Sequence, residues 1–260
     1  MINQLKQSVR YRGLLYSLAR REIQVRYTQS LFGIAWAIFQ PLALMLMFTL
    51  IFSALLNIPS DGVPYPIFAY SALLPWTLFS TSLNSAIPSL ENNAPLIKKI
   101  YFPRELFPIA SLLAAFVDFL IAAIILIGMM FYFQVPFTVN ILFVVPILLI
   151  QIVFTLGVCL FASAINAYYR DVKYALPLVV QLWLYASPII YPVTMVPEQL
   201  RTLYFLNPMA GIIHGYRTVL IQGLPPDYHY LGIAAVGSVV LLIVSYLYFK
   251  RVEMTFADVL

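Results

Sequence analysis

The sequence contains very little charge. Asp, Glu, Lys and Arg make up 10% of its 260 residues, and 62% are hydrophobic, whereas about 25% of the residues of an ordinary soluble domain are charged. This composition excludes a water-soluble domain and predicts that lipid covers much of the surface. The net charge of +5 therefore bears on orientation in a membrane, and we expect no nucleic-acid partner.

Residues that carry catalysis or bind metals are also scarce. The single cysteine, Cys159, lies inside an apolar run, which excludes a disulfide framework and a cysteine metal cluster. Neither His214 nor His229 has a partner at ligand spacing. No Gly-x-x-x-x-Gly-Lys-Ser/Thr loop occurs, so the chain lacks that machinery for ATP hydrolysis. We predict no catalytic residue, no metal and no cofactor bound by this chain, which is therefore not an enzyme.

Long apolar runs are what the sequence has instead. A helix needs about 20 mostly apolar residues to cross a bilayer, and these runs are continuous, unlike the alternating strands of outer-membrane barrels. The fold class predicted is all-α integral membrane, with six transmembrane helices in one domain. The predicted spans are Leu31–Leu56, Ile67–Ile87, Pro108–Phe133, Asn140–Ala167, Tyr174–Met195 and Leu231–Phe249.

The distribution of basic residues orients these spans. If the N-terminus is cytoplasmic, all of the 15 basic residues except Arg201 and Arg217 lie on the cytoplasmic side, as the positive-inside rule requires. The single domain then consists of a cytoplasmic interfacial helix (residues 1–30), a six-span bundle (31–249) and a cytoplasmic tail (250–260). The basic N-terminal segment precedes an apolar run too long for a signal peptide, so we expect it to remain as an anchor.

The segment between the fifth and sixth spans is apolar but short. Its longest apolar stretch, Pro208–Gln222, would be about 22 Å long as a helix, and a seventh crossing would place Lys250 and Arg251 outside. We predict two short re-entrant outer helices, which are tolerated where protein surrounds them. The alternative is a pair of interfacial helices on the outer surface. The predicted helices are Glu198–Leu206 and Met209–Gln222.

Three elements lie on the predicted cytoplasmic side. Residues 11–28 have an apolar and a basic face, typical of a helix that anchors on anionic lipid or holds a phosphate-bearing head group or a cytosolic partner. The loops Pro88–Phe107 and Tyr168–Lys173 combine aromatic and charged residues. We expect Ile100, Tyr101 and Phe102 to be exposed and covered by lipid head groups or a partner protein, although ordinary interfacial belting is the simpler alternative.

Asp118 is the only ionisable residue within the predicted hydrocarbon zone. A carboxylate there must find a donor, become protonated or face the interior, so we expect a hydrogen-bonded structural role or a place along a conduit. Aromatic residues recur on several spans, and aromatic rings suit the apolar faces of sugar rings, but Trp and Tyr also collect at membrane interfaces. The candidate conduit-lining residues are Trp36, Phe39, Asp118, Trp183, Tyr185 and Tyr191.

Five motifs occur along the chain in a characteristic order. The motifs are Arg21-Glu22-Ile23-x-x-Arg26-Tyr27-x-x-Ser30-x-x-Gly33-x-x-Trp36 with Gln40-Pro41, Lys98-Lys99-Ile100-Tyr101-Phe102-Pro103-Arg104-Glu105, Tyr168-Tyr169-Arg170-Asp171, Ser187-Pro188-Ile189-Ile190-Tyr191-Pro192 and Asn207-Pro208. Together they resemble the polysaccharide-export permeases of the type-2 ABC transporter family. The resemblance covers essentially the whole chain in order and spacing.

The resemblance implies a homodimer in the plasma (inner) membrane, bound to two copies of a separate ATP-binding cassette subunit that holds ATP and Mg. Its implied cargo is O-antigen, capsule or teichoic-acid polymer on a polyprenyl or related lipid carrier. Candidates to steer the lipid phosphate are Arg20, Arg21 and Arg26. Candidates to couple to the ATPase are Lys98, Lys99, Tyr101, Phe102, Pro103, Arg104, Glu105, Arg170 and Asp171.

The resemblance also implies an outer gate formed by the short helices after the fifth span. Pro188 and Pro192 lack N–H donors and would break that span so that the chain turns back. Asn207 and Pro208 complete the candidate gate. The alternative functions are an ABC exporter of drugs or small lipids and, from another class, a secondary carrier, which the scarcity of membrane-embedded charge disfavours.

Overall fold

A computed structural model describes residues 11–28, 30–100 and 102–259, without the side chains of 257 and 258. Within these ranges the regular secondary structure is helical and no β-strand occurs, which confirms the all-α prediction. Four helical segments are long and apolar enough to cross a membrane, and a shorter apolar helix accompanies them. The four are Gly33–Leu55, Leu106–Tyr132, Val139–Tyr168 and Tyr228–Thr255, and the shorter helix is Val172–Tyr185.

The first described part of the chain forms two successive helices. α1 (Arg12–Tyr27) buries Leu18 and Ala19 against the bundle. After a 3₁₀ turn, α2 (Trp36–Phe48) continues into a π-helical segment, Thr49–Leu55. A helix thus lies where the sequence predicted one, directly before the first long apolar helix, and its location at a membrane interface remains a prediction.

α3 (Tyr65–Ala86) occupies the centre of the bundle. Its 22 residues extend over roughly 33 Å. It is surrounded by α2 and by three helices later in the chain, Leu106–Tyr132, Val144–Tyr168 and Pro208–Leu220. Sixteen residues of this helix are buried, and Ile67, Tyr70 and Leu73 are fully buried. Because protein encloses this helix, its several serines and threonines are tolerated there.

After α3 the chain forms two short helices, α4 (Ser89–Asn92) and α5 (Ala94–Lys99), at one end of the bundle. Two long helices follow, α6 (Leu106–Tyr132) and α7 (Val144–Tyr168), close to the predicted third and fourth spans. We call this end, with residues 88–105, 168–171 and the last helix of the chain, the basic end.

α8 (Val172–Tyr185) is shorter than the predicted fifth span. It has 14 residues, roughly 21 Å, and ends ten positions before Met195, where the prediction placed the boundary. The reason is the sequence Pro188-Ile189-Ile190-Tyr191-Pro192, in which two residues lack the N–H that a continuing helix requires. The non-helical residues 186–192, of which residues 187–190 and Pro192 are buried, form the segment that we call the break.

Beyond the break, α9 (Glu198–Tyr204) and α10 (Pro208–Leu220) correspond to the two predicted short helices. They are followed by α11 (Tyr228–Val252) and α12 (Phe256–Val259). α10 packs between α3, α7 and α11. Its inward position requires a small residue at Gly211, where a Cβ atom would lie 2.9 Å from the Ala234 Cβ.

One buried amide joins three of these helices. Gln151 of α7 is fully buried; its Nε2 donates to the Pro75 carbonyl oxygen of α3 at 2.8 Å, and its Oε1 accepts from the Tyr216 hydroxyl of α10 at 2.9 Å. Both ends of the amide are therefore satisfied inside an apolar core, as burial requires.

Candidate functional site

A cleft lies where α1, α2, α3 and α6 meet, and it collects residues of the first motif. We call it the inner cleft; it has a volume of about 230 Å³. Trp36 and Gln40 are exposed, so the cleft opens on the α2 side. Its lining residues are Arg26, Tyr27, Trp36, Ala37, Gln40, Pro41, Thr77, Leu78, Thr81, Ala115, Asp118, Phe119 and Ala122.

Asp118 forms the polar floor of the inner cleft together with α1. Arg26 donates from Nη1 to the Asp118 carboxylate and from Nη2 to the Ser85 hydroxyl at 2.9 Å, while the Tyr27 hydroxyl donates to Asp118 Oδ1 at 2.6 Å. The prediction that Asp118 finds hydrogen-bond donors is thereby confirmed. Burial, and then the bond to Asp118, raise the pKa of Tyr27, so the phenol stays protonated and remains a donor.

The other conduit candidates are distributed more widely. Phe39 and Tyr185 are exposed, whereas Trp183 packs edge-on against Phe79 with ring centres 5.3 Å apart. The Tyr191 hydroxyl donates to the Tyr185 carbonyl oxygen at 3.1 Å. Only Trp36 and Asp118 of this predicted set line the inner cleft, and a conduit role for the whole set remains a prediction.

The three candidate arginines for lipid phosphate differ in their surroundings. Arg26 is paired with Asp118, with 22% of its side chain exposed. Arg21 is exposed and donates to Asn93 Oδ1 at 3.2 Å, and Arg20 is exposed beside an apolar groove that includes Phe116. Two of the three guanidinium groups are therefore presented at the surface of α1.

Next to them, Glu22 interrupts the basic surface of α1. Burial raises its pKa, and the neighbouring Arg26 and Arg21 act in the opposite direction. Proximity to two guanidinium groups thus offsets part of the cost of placing a carboxylate on the inner side of this helix.

At the basic end, part of the predicted coupling set is buried within the chain. Glu105 is 3% exposed and accepts from Lys250 Nζ at 2.7 Å, and the Arg104 backbone N–H donates to Glu253 Oε1 at 2.9 Å. The prediction that Phe102 is exposed is wrong: it is 3% exposed and packs against Phe107. Aromatic and aliphatic neighbours from α1, α5, α7, α11 and α12 share this cluster and supply the cover that we expected from head groups or a partner.

The remaining coupling candidates face outward. Lys98, Lys99, Arg170 and Asp171 are exposed, and Pro103 is partly exposed, whereas Tyr101 lies outside the described residues. The neighbouring Ile100 is exposed as predicted. The exposed set spans both predicted cytoplasmic loops.

An ion pair ties these two loops together. Lys173 Nζ lies 2.9 Å from Glu91 Oε1, and the Lys173 backbone N–H donates to Asn166 Oδ1 at 3.1 Å. The hydrogen bond from Lys173 holds the pKa of Glu91 below its ordinary value. The prediction that both loops lie on one face is confirmed.

At the opposite end, sequence reasoning missed the role of Arg217. Its side chain is buried in α10 and donates to the carbonyl oxygens of Phe68 (3.2 Å), Pro188, Ile189 (2.7 Å) and Tyr191 (3.3 Å). The guanidinium carbon also lies 3.5 Å from the centre of the Phe68 ring. Arg217 therefore satisfies the main-chain acceptors that the break leaves without helical partners. The available sequence signal was a lone cation on a short apolar helix that follows two prolines.

The four predicted gate residues gather around the same break. Asn207 caps α10 by accepting from the Met209 backbone N–H at 3.1 Å, and its Nδ2 donates to the Ser187 hydroxyl at 3.0 Å. Pro208 occupies the first turn of α10, where a missing N–H costs nothing. Pro188 and Pro192 are both buried in the break. Whether this assembly opens remains a prediction.

In the described parts of the chain, no three His, Cys, Asp or Glu side chains lie close enough to hold a metal ion. The arrangement offers surfaces for binding. They are a polar cleft in which Arg26 and Asp118 neutralise each other, the exposed basic residues of α1 and of the basic end, and the break, which hydrogen bonds from Arg217 hold in place.

Known proteins resemble this chain over nearly its full length. Residues 13–221 match the sequence profile of the family described as "ABC-2 type transporter". The "O-antigen export system permease protein RfbA" of Myxococcus xanthus is 33% identical over 99% of both chains, and the protein of that name from Klebsiella pneumoniae is 29% identical over 95% of both. The "Polysialic acid transport protein KpsM" of Escherichia coli is 23% identical over 91% of this chain and 92% of its own.

Proposed function

Because the chain belongs to the ABC-2 type transporter family, we propose that it is the membrane-spanning permease subunit of an ATP-driven polysaccharide exporter. The observation that carries this proposal is the near full-length similarity to permeases whose names specify O-antigen export and polysialic acid transport. The chain is an integral membrane protein with helices of spanning length.

Six crossings are the topology that we propose for it. The four long apolar segments provide four of these crossings. In this proposal the other two are α3, which neighbouring helices enclose, and α8 together with the break. In this proposal α9 and α10 are the re-entrant pair: α10 has 13 residues, roughly 20 Å, and lies among three other helices. The positive-inside rule supports cytoplasmic locations for both termini, and the inner membrane is the location that we propose.

A separate ATPase subunit supplies the energy in this proposal. The sequence has no phosphate-binding loop of its own, so ATP and Mg belong to the partner, present in two copies beside a homodimer of this chain. The partner would dock on the exposed residues of the basic end, and the buried members, Phe102 and Glu105, would pass the movement to α6 and α11. The exposed apolar face of α2 is where we place the second copy.

The proposed cargo is a glycan on a polyprenyl or related lipid carrier, of O-antigen, capsule or teichoic-acid type. The lipid phosphate approaches the surface of α1, where Arg20 and Arg21 are exposed and a charge-assisted bond is favourable. ATP binding closes the partner subunits, the basic end moves, and the glycan passes along the conduit candidates toward the gate around the break.

Affinity purification from the native host in mild detergent tests the class. We expect an ATPase subunit at equal stoichiometry, and depletion of the permease should remove surface glycan while lipid-linked precursor accumulates inside. If the purified chain transports alone, it is a secondary carrier and the proposal is wrong. If hydrophobic small molecules stimulate the ATPase and glycolipid does not, the cargo is a drug or a small lipid.

A further inference from the structure

We propose that the inner cleft binds one uncharged sugar ring of the lipid-linked glycan, next to the site where α1 receives the lipid phosphate. This inference rests on the proposed function and specifies where the glycan is first recognised. It separates sugar recognition, in the cleft, from phosphate recognition, on the exposed surface of α1.

The charge of the cleft selects against a phosphate. Arg26 is the one cation among the residues that line the cleft, and it is already paired with Asp118. A phosphate that entered would have to displace the Asp118 carboxylate and then remain close to it, with repulsion between the two anions. A neutral ligand meets no such cost.

The polar groups that are free in the cleft suit hydroxyl groups. Within the described residues, the Gln40 amide and the Thr81 hydroxyl have no hydrogen-bond partner in the protein, although both line the cleft. An amide offers donors and an acceptor, and a hydroxyl offers one of each kind. Asp118 and Tyr27 add further oxygen atoms at the floor. Vicinal hydroxyls of a sugar match such a mixed set, whereas an acyl chain does not.

Shape and position agree with one ring. At about 230 Å³ the cleft is smaller than the roughly 300–1,000 Å³ that drug-sized ligands occupy. Trp36 stands at its mouth with 49% of its surface exposed, available to pack on the apolar face of a ring. Thr81 lies five residues from the basic-end terminus of α3, about 8 Å along the helix, so a bound sugar would sit near a phosphate at the membrane surface.

The test uses the complete permease–ATPase complex in lipid nanodiscs. ATPase activity is titrated with polyprenyl pyrophosphate and with the same lipid carrying one N-acetylhexosamine. We expect the sugar-bearing lipid to reach half-saturation at about a tenfold lower mole fraction, equivalent to about 1.4 kcal/mol. Gln40→Leu and Thr81→Val should abolish this preference while the response to the bare lipid stays unchanged.

Matched controls are Gln181→Leu and Thr202→Val, which alter exposed residues outside the cleft and should keep the preference. The unchanged response to bare lipid also shows that each variant is folded and coupled. If both lipids stimulate wild type with equal half-saturation, or if the cleft variants keep the preference, the sugar site is refuted and the exporter function stands. If neither lipid stimulates the complex, both proposals fall.

Discussion

At Arg217, a guanidinium group takes the place of the water that would otherwise hydrate the carbonyl oxygens of an interrupted helix. The break leaves main-chain acceptors in the protein interior, where each unsatisfied group costs about 1–3 kcal/mol. Arginine suits this position because its planar fork carries five donors that reach several acceptors at once. A buried cation is thus a structural necessity of the fold-back, and it is paired with dipoles instead of a carboxylate.

Replacing Arg217 by lysine tests this role. An ammonium group is a point charge on a flexible stem and cannot reach acceptors on both α3 and the break. We expect Arg217→Lys to lower the free energy of unfolding by about 2–4 kcal/mol, since it leaves buried carbonyls unpaired. Arg201→Lys, at a half-buried arginine whose Nε donates to one carbonyl oxygen, is the control and should change it little. Equal thermal stability of both variants in detergent would contradict the assignment.

The contact between Arg26 and Asp118 predicts a measurable coupling energy. Both side chains are mostly buried, 22% and 15% exposed, and removal of one partner leaves the other charge uncompensated. In a double-mutant cycle with Arg26→Gln and Asp118→Asn, we expect a coupling energy of about 1–3 kcal/mol. The exposed pair Arg201–Glu198, at 3.8 Å, is the comparison and should give less than about 0.5 kcal/mol. Unfolding of the four variants by denaturant in detergent measures both couplings.

Among the helices, α10 owes its place to a close approach to α11. A Cβ atom on Gly211 would lie 2.9 Å from the Ala234 Cβ and 3.0 Å from the Tyr230 carbonyl oxygen. Gly→Ala within a helix ordinarily stabilises by about 1 kcal/mol, but here overpacking should destabilise by about 1–3 kcal/mol. Gly128→Ala in α6, where a Cβ atom would meet nothing within 4 Å, should be neutral or stabilising. Opposite signs for the two variants in a melting experiment are the expected result.

The tie between α4 and α8 predicts a pH dependence. The pKa of Glu91 is lowered chiefly by its hydrogen bond from Lys173, so the pair contributes stability above the ordinary value of 4.5. That contribution is lost as the pH falls through the lowered pKa. Glu91→Gln should therefore flatten the acid side of the stability profile below about pH 4.5, whereas Glu198→Gln, at an exposed carboxylate, should not. An unchanged acid profile for Glu91→Gln would contradict this linkage.

The helices differ in how far their sequences predict them. α6 and α7 follow from apolar runs of sufficient length, and the break follows from two prolines, because these features depend on local chemistry alone. The burial of Phe102 and the partners of Arg217 do not, because they join distant parts of the chain: Arg217 and Phe68 are 149 positions apart. Asp118 looked like an isolated acid in the sequence, because its partner Arg26 is 92 positions away. In the structure the two form a neutral pair.

For the molecule as a whole, the proposed topology gives a direct test by accessibility. The single cysteine, Cys159, is buried, so a Cys159→Ala chain provides the background for new cysteines. We expect Arg251→Cys to react with a membrane-impermeant maleimide only after the cytoplasmic side is opened, and Gln199→Cys on α9 to react from outside. Labelling of Arg251→Cys in intact cells would place the end of α11 outside and would contradict the proposed arrangement, in which six spans keep both termini in the cytoplasm.

The Gln151 amide also limits how the molecule can change shape. Because one buried side chain is bonded at both ends, rotation of α3, α7 or α10 about its own axis would break one of these two hydrogen bonds. We therefore expect these three helices to shift together during a transport cycle. Relative motion is left to the peripheral helices that slide or tilt around them.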